Sequence, residues 1–375
     1  VQSGGKYYVI RNSSSIIAFE MPKKDFGAFM ICASHTGSPS FKLKPDFEIN
    51  ADGCIKLSVE GYGGMIMSSW LDRPLSISGR IVIAKDGKIE TKLINVDRNL
   101  LVIPSLAIHM SRDINKGYEF NIRRDMCPIA SEKNGRIEDI IAECVGVDKE
   151  EILGFDLSLY NRMRGTVLGT DGEYFSAPRI DDLQCMYSTL EGFLNSESDD
   201  NVTVFAAFDN EEVGSGTKQG AKSSFLRDVL ERICDNSETY KRAVAKSFML
   251  SCDNAHAVHP NFADKSDGTN RVYMNGGIVI KYNANQRYTT DAVSEAVVKY
   301  VCKNAGVPYQ MYANRSDIPG GSTLGNLSNE KVSLNTAYIG LAQLAMHSLY
   351  ETAGSRDTEY MVKMIKEFYK TEIVL

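Results

Sequence analysis

Histidine is scarce in this chain, tryptophan is nearly absent, and paired cysteine motifs are missing. Five histidines and one tryptophan occur in 375 residues. The cysteines stand at 32, 54, 127, 144, 185, 234, 252 and 302, with no CxxC pair. That scatter excludes a thiolate zinc module and a disulfide framework, and it points to a reduced, cytoplasmic setting. No apolar run approaches the about 18 residues that a membrane-spanning helix needs. Nothing after Val1 reads as a signal peptide, and a preceding segment of the natural protein is expected to lie outside this sequence. A net charge of -6 and a pI near 5.6 give no global attraction for nucleic acid or acidic lipid. Repeats, low-complexity tracts and proline-rich linkers are lacking too.

The length suits two domains, or one domain with a large insertion. From about residue 166 onward, apolar strand-like runs alternate with helical patterns. NVTVFAAF (201–208) is a nearly all-apolar run, as expected of a strand buried on both faces. Phe225, Leu226, Val229, Leu230 and Ile233 then recur at helical spacing. SFMLSC (247–252) and GIVIKY (277–282) read as strands. Residues 291–305 read as a helix stopped by Gly306 and Pro308. Ser348 with Glu351 has the spacing of a capping box, and Tyr360, Met361, Met364, Ile365 and Phe368 mark one face of a last helix. This alternation predicts an α/β domain with a mostly parallel central sheet flanked by helices. Residues 48–165 differ. Asp86-Gly87 between Arg80–Lys85 and Lys88–Leu93 is a hairpin signal, and Val102–Ile108 is a further apolar run. This β-rich segment reads as an insertion into a domain made of residues 1–47 and 166–375.

All five histidines, His35, His109, His256, His259 and His347, sit in polar, loop-like strings. Each alone has a structural reading; together they favour a site. Asp209, Glu211 and Glu212 follow the apolar run 201–208 directly, and Asp253 ends the run 247–252. Ligands of open α/β sheets bind at such strand ends. Asp182 and Asp209 read as helix caps or solvated charges. Adjacent Glu211 and Glu212, flanked by Gly214 and Gly216, can divide labour, one binding metal while the other faces the attacking water. Imidazole plus carboxylate donors suit zinc or another first-row divalent ion. A two-ion site needs a bridging carboxylate, terminal ligands and a separate base. His35, His347, Asp181, Asp253, Glu211 and Glu212 provide that set. No HExxH string is present, so the site must assemble from distant segments.

Six ordered strings carry a resemblance: HTGSP (35–39), SAPRIDDL (176–183), DNEEVGSG (209–216), DNAHAVHPN (253–261), IPGGSTLG (318–325) and QLAMHS (343–348). With them the chain resembles the aspartyl aminopeptidase family of dinuclear zinc metallopeptidases over essentially its whole length. The resemblance implies two zinc ions per subunit, with manganese or cobalt as substitutes. It makes Asp181 the bridging ligand, with His35 and Asp253 on one ion and Glu212 and His347 on the other. Glu211 becomes the general base. The substrates implied are peptides with an N-terminal aspartate or glutamate, and Lys281 matches the lysine associated with that acidic side chain. His256 and His259 would line the site. The inserted domain would make dimers within a tetrahedral dodecamer, where His109 reaches a neighbour's active site. IPGGSTLG lacks the GK[ST] of a phosphate-binding loop and reads as pocket wall.

Gly37 departs from the family string, usually HTDSP. That aspartate orients the metal-binding histidine in related enzymes, and losing such a partner typically costs about 10–100-fold in metal affinity or activity. Two alternatives therefore stand beside the acidic aminopeptidase: a non-catalytic or weakly active family member, and a zinc aminopeptidase that prefers neutral residues.

Overall fold

Strands apolar at successive positions need cover on both faces. The computed structural model, which describes residues 1–132, 135–196, 200–318, 320–321 and 324–374, shows how they obtain it. The chain forms two compact units, one of Val1–Ser38, Thr166–Met346 and Glu351–Leu375, the other of Pro39–Gly165 and His347–Tyr350. The expected boundary at 47/48 falls inside a strand. Ser40–Ala51 is continuous and pairs with Cys54–Tyr62, which carries residues 39–47 into the second unit.

In the first unit, an eight-stranded sheet is parallel at its centre, with antiparallel pairings on either side of that centre and a parallel outer pair at one edge. Val202–Phe208, Phe29–His35, Phe248–Cys252 and Asn335–Gly340 lie side by side and run parallel. The hairpin Lys6–Arg11 and Ser15–Glu20 extends one edge. Ile278–Tyr282 and Tyr309–Ala313 extend the other. Side chains alternate across a strand, and here both sides meet helices. Phe29, Ile31 and Ala33 join Val204, Ala206, Phe225, Leu226 and Leu230 in one core cluster. Met30 and Cys32 join Phe205, Leu250, Met361, Met364, Ile365 and Phe368 in another. The helical spacings read from the sequence become Phe225–Ile233, Ala292–Ala305 and Asp357–Lys370, and Gly306 closes the second at φ 64°. A five-stranded sheet completes the unit, in the order Thr166–Leu168, Tyr174–Ala177, Glu351–Gly354, Ala342–Leu344, Ala255–His256.

Two local expectations fail. Ser348 and Glu351 start no helix. Ser348 Oγ accepts the Tyr350 N–H at 3.3 Å, a local turn bond, and Glu351 opens a strand. Of the run 102–108, Val102 alone bridges Ile129. Ile103 is buried in the core of the second unit, but Leu106 and Ile108 are exposed, so the later part of the run has no covered face to drive pairing.

The second unit is a six-stranded antiparallel sheet, ordered Lys88–Asn95, Leu75–Lys85, Ile152–Asn161, Ser40–Ala51, Cys54–Tyr62, Ile129–Glu132. Asp86 (φ 51°) and Gly87 (φ 71°) turn the first hairpin with Lys85 opposite Lys88, the positive φ pair of a two-residue turn. Trp70 meets Phe41 edge-on at 5.0 Å, and the helix Ile137–Val145 adds Ile137 and Ile141 to the same core.

Asp357, first residue of the C-terminal helix, is buried while its two carboxylate oxygens accept the N–H groups of Gly277 (2.9 Å) and Asn275 (2.6 Å). Burial pushes its pKa up to about 6 despite these bonds. A raised carboxyl pKa stabilises the fold fully below the unfolded value near 3.9, and that contribution disappears as pH rises through about 6. The shift corresponds to roughly 3 kcal/mol. Thermal unfolding of wild type and Asp357→Asn between pH 4 and 7 is expected to show the wild-type advantage shrinking as pH rises.

Candidate metal centre

Parallel strands end on one edge of a sheet, and three adjacent central strands of the first unit end in a histidine or are followed directly by an acid. Phe208 pairs with His35, so the turn Glu211–Val213 leaves the sheet beside the end of Phe29–His35. Ser251 pairs with Ala33, which puts Asp253 at the same level. Asp181 and Asp182 arrive after Tyr174–Ala177, through Arg179 at φ 61°.

His35, Asp181, Asp182 and Asp253 are all buried, and one potential ligand atom from each lies within 4.8 Å of the others; His35, Glu211 and Glu212 form a second such group. His35 Nε2 stands 3.5 Å from Asp181 Oδ1 and 3.8 Å from Asp253 Oδ1. Its Nδ1 is 3.0 Å from the main-chain oxygen of Gly37. A carbonyl only accepts, so Nδ1 carries hydrogen and Nε2 faces the carboxylates. Burial opposes a charge on this ring, yet Asp182, Asp181 and Asp253 outweigh it and lift its pKa well above the ordinary value.

Like charges set the fit. Two carboxylates about 4 Å apart repel by about 4 kcal/mol at an effective dielectric of 20, and water cannot screen groups this deeply buried. A divalent cation among them turns repulsion into attraction, and the imidazole-carboxylate donor set suits zinc. Cys185 and Cys252 lie nearby, but burial first, then Asp182 for Cys185 and Cys32 followed by Asp182 for Cys252, push their pKa values well up and keep them neutral. Thiolate ligation is therefore disfavoured. Asp182 contradicts its reading as a solvated cap: it is 0% exposed and its Oδ2 accepts the His35 N–H at 3.1 Å. Asp209 keeps the local reading, its Oδ1 accepting the Asn210 N–H at 2.7 Å.

The sequence profile described as "Aminopeptidase I zinc metalloprotease (M18)" matches residues 1–369. The chain belongs to the M18 family. A probable M18 family aminopeptidase 2 of Clostridium acetobutylicum is 44% identical over 387 residues, covering 98% of this chain and 89% of that protein. The protein of the same description from Pseudomonas aeruginosa is 37% identical over 378 residues, covering 98% and 88%. Among solved structures, Ape4 in complex with Nbr1 superposes with a TM-score of 0.94 at 34% identity over 98% of this chain and 77% of that one. The S. cerevisiae mApe1 dodecamer gives 0.83 at 28%, covering 98% and 85%. This M18 chain is a zinc metalloaminopeptidase, a peptide hydrolase.

The other expected site residues belong to several different elements. Lys281 is 5% exposed, donates to the Asn254 main-chain oxygen, and stands over the rings of Tyr338 (4.5 Å) and Tyr288 (5.6 Å). His256 and His259 line a cavity of about 330 Å³ with Tyr288, Tyr312, Arg315 and Gln343. His109 is exposed in a turn of the second unit. His347 (φ 65°) opens the four-residue segment grouped with that unit. In IPGGSTLG, Ile318 and Gly321 line the same cavity, while Pro319, Ser322 and Thr323 lie outside the described residues. Sequence reasoning missed Tyr338, whose hydroxyl donates to Asp253 Oδ2, and Glu351, whose Oε2 accepts the Asp181 N–H at 3.0 Å. Glu351 lies only four residues after His347, a proximity that could have drawn notice.

Gly340 follows Ile339, which pairs with Cys252, and a Cβ on it would run into the Asp253 carbonyl. Gly340→Ala should push the Asp253 strand aside, costing about 1–3 kcal/mol in urea unfolding and weakening zinc retention against a chelator by about tenfold or more.

Proposed function

We propose that this M18 enzyme removes aspartate or glutamate from the N-termini of peptides, using two zinc ions per subunit and Glu211 as general base. The buried carboxylate cluster around His35, with Glu211 and Glu212 on the adjoining strand-end turn, carries the reading. Asp181 is assigned to bridge the ions, His35 and Asp253 to complete one, and Glu212 and His347 the other. Manganese or cobalt could occupy the same donors. When bound, the ions polarise the scissile carbonyl and bring the pKa of the attacking water toward about 7. Glu211, half-buried beside Glu212, then needs only modest basicity to take a proton from that water and return it to the leaving amine.

Lys281 supports the acidic preference. One of its three ammonium donors goes to Asn254, and the aromatic faces of Tyr338 and Tyr288 hold the cation in a place where water competes poorly. A substrate carboxylate would gain a charge-assisted bond there. His256 and His259 are assigned to substrate because they line the neighbouring cavity. The second unit is assigned to dimerisation within a dodecamer, the assembly in which mApe1 was solved, with His109 reaching a neighbour's site. A cytoplasmic location fits eight cysteines free of disulfides. No helix among the described residues is long and apolar enough to cross a membrane.

Hydrolysis of Asp-, Glu- and Leu-p-nitroanilide, with and without o-phenanthroline, tests the reading. Chelator-sensitive cleavage of the acidic substrates is expected; a folded, zinc-loaded protein that cleaves none would replace the reading with a non-catalytic one. Glu211→Gln should keep its zinc and lower kcat by about 10²–10⁴. Lys281→Leu should erase the preference for Asp over Leu, and an unchanged ratio would remove the basis for acidic selectivity.

A further inference from the structure

The peptide unit that carries Asp181 is held at both ends. Ser38 Oγ donates to the Asp181 carbonyl at 2.8 Å, and the Asp181 N–H donates to Glu351 Oε2 at 3.0 Å. Glu351 is 2% exposed. It lies on the strand Glu351–Gly354, directly opposite Ala177 of the strand that delivers Asp181. Its other oxygen, Oε1, faces the Gln343 amide at 3.4 Å, and Gln343 belongs to the next strand of the same sheet. Between Ala177 and Asp181 the chain passes through Arg179 at φ 61°, a conformation uncommon outside glycine. Asp181 and Asp182 are non-helical although they open the helix Ile180–Leu194. This segment lacks the intrahelical bonds that would otherwise fix its first residues.

We propose that Glu351 is a positioning residue: by accepting the Asp181 N–H it fixes where the Asp181 carboxylate stands among the metal ligands. The inference rests on the reading of Asp181 as the bridging ligand. A bridging carboxylate serves two ions at once, so displacing it disturbs both, and partners that orient such ligands typically carry about 10–100-fold in affinity or activity. The alternative role for a buried acid in this place is a structural charge between two strands. The two roles rank conservative substitutions oppositely. Glu351→Gln keeps the length and an oxygen acceptor for the Asp181 N–H but loses the charge. Glu351→Asp keeps the charge and draws the carboxylate back by one methylene.

The experiment compares wild type, Glu351→Gln and Glu351→Asp for kcat and KM on Asp-p-nitroanilide and for zinc retention against a competing chelator. Circular dichroism and thermal unfolding check that each is folded. Glu351→Gln is expected within about threefold of wild type in kcat and zinc retention. Glu351→Asp is expected to lose about 10–100-fold in both, with KM changed by less than about threefold. Glu351→Asp equal to or better than Glu351→Gln would overturn the proposal, as would both variants matching wild type. Absent chelator-sensitive hydrolysis in wild type would sink the aminopeptidase reading instead; zinc retention would still decide the placement of Asp181. Should Glu351→Asp fail to fold, Ser38→Ala releases the other end of the same peptide unit. It is then expected to lower zinc retention by about tenfold, and unchanged retention would overturn the proposal.

Discussion

Negative charge buried around His35 is the constraint on which the rest of this structure depends. Asp181, Asp182 and Asp253 are almost free of solvent, and their carboxylates crowd one imidazole. A hydrophobic core does not tolerate such a group unless a cation compensates it. The fold answers by holding each acid through a defined hydrogen bond to its carboxylate or its main chain. Tyr338 serves Asp253, the His35 N–H serves Asp182, and the Asp181 main chain is tied between Ser38 and Glu351. These bonds orient the acids but do not compensate them, and that is what makes the cluster a cation site.

The parallel centre of the sheet makes this arrangement reachable. Three adjacent strands, Val202–Phe208, Phe29–His35 and Phe248–Cys252, are covered on both faces by apolar helices, so polar groups can appear only where they end. Level register then gathers residues far apart in sequence at one edge. Close packing extends to the ligands: Gly340 sits against the Asp253 carbonyl because no Cβ fits there. Neutral thiols beneath the site follow from the same burial. The centre selects its donors by environment as well as by residue type.

Much of this was legible in the sequence, and the exceptions share a cause. All-apolar runs gave the central strands, Asp86-Gly87 gave the hairpin, and strand-end acids gave Asp253, Glu211 and Glu212. These signals are local, which is why they can be read without a structure. Asp182 was misread as a solvated cap because composition around it does not reveal that the preceding turn drives it inward. Glu351 was placed in a capping box with Ser348 because spacing alone resembles one; pairing with Ala177 makes it a strand residue facing Asp181. The boundary at 47/48 failed for a similar reason, since the partner of residues 40–47 lies on Cys54–Tyr62.

Gly37 shows how a missing side chain can be replaced without a new one. An aspartate two residues after a ligand histidine would do two jobs, holding the ring's Nδ1 hydrogen and adding negative charge that strengthens the opposite nitrogen as a donor. Here the jobs are separated. The Gly37 carbonyl receives Nδ1 at 3.0 Å and fixes ring and tautomer. Against the burial that opposes a charge on the ring, Asp182, Asp181 and Asp253 together raise its pKa, and Asp182 also holds the His35 backbone. A neutral carbonyl orients the ring but adds no charge to strengthen it as a donor. The charge must come from the neighbouring carboxylates, and burial pushes the pKa of Asp182 itself well up, so the orienting part of the aspartate's work is the part that the Gly37 carbonyl takes over. On that reasoning the glycine at position 37 still leaves the Nε2 of His35 facing the carboxylates.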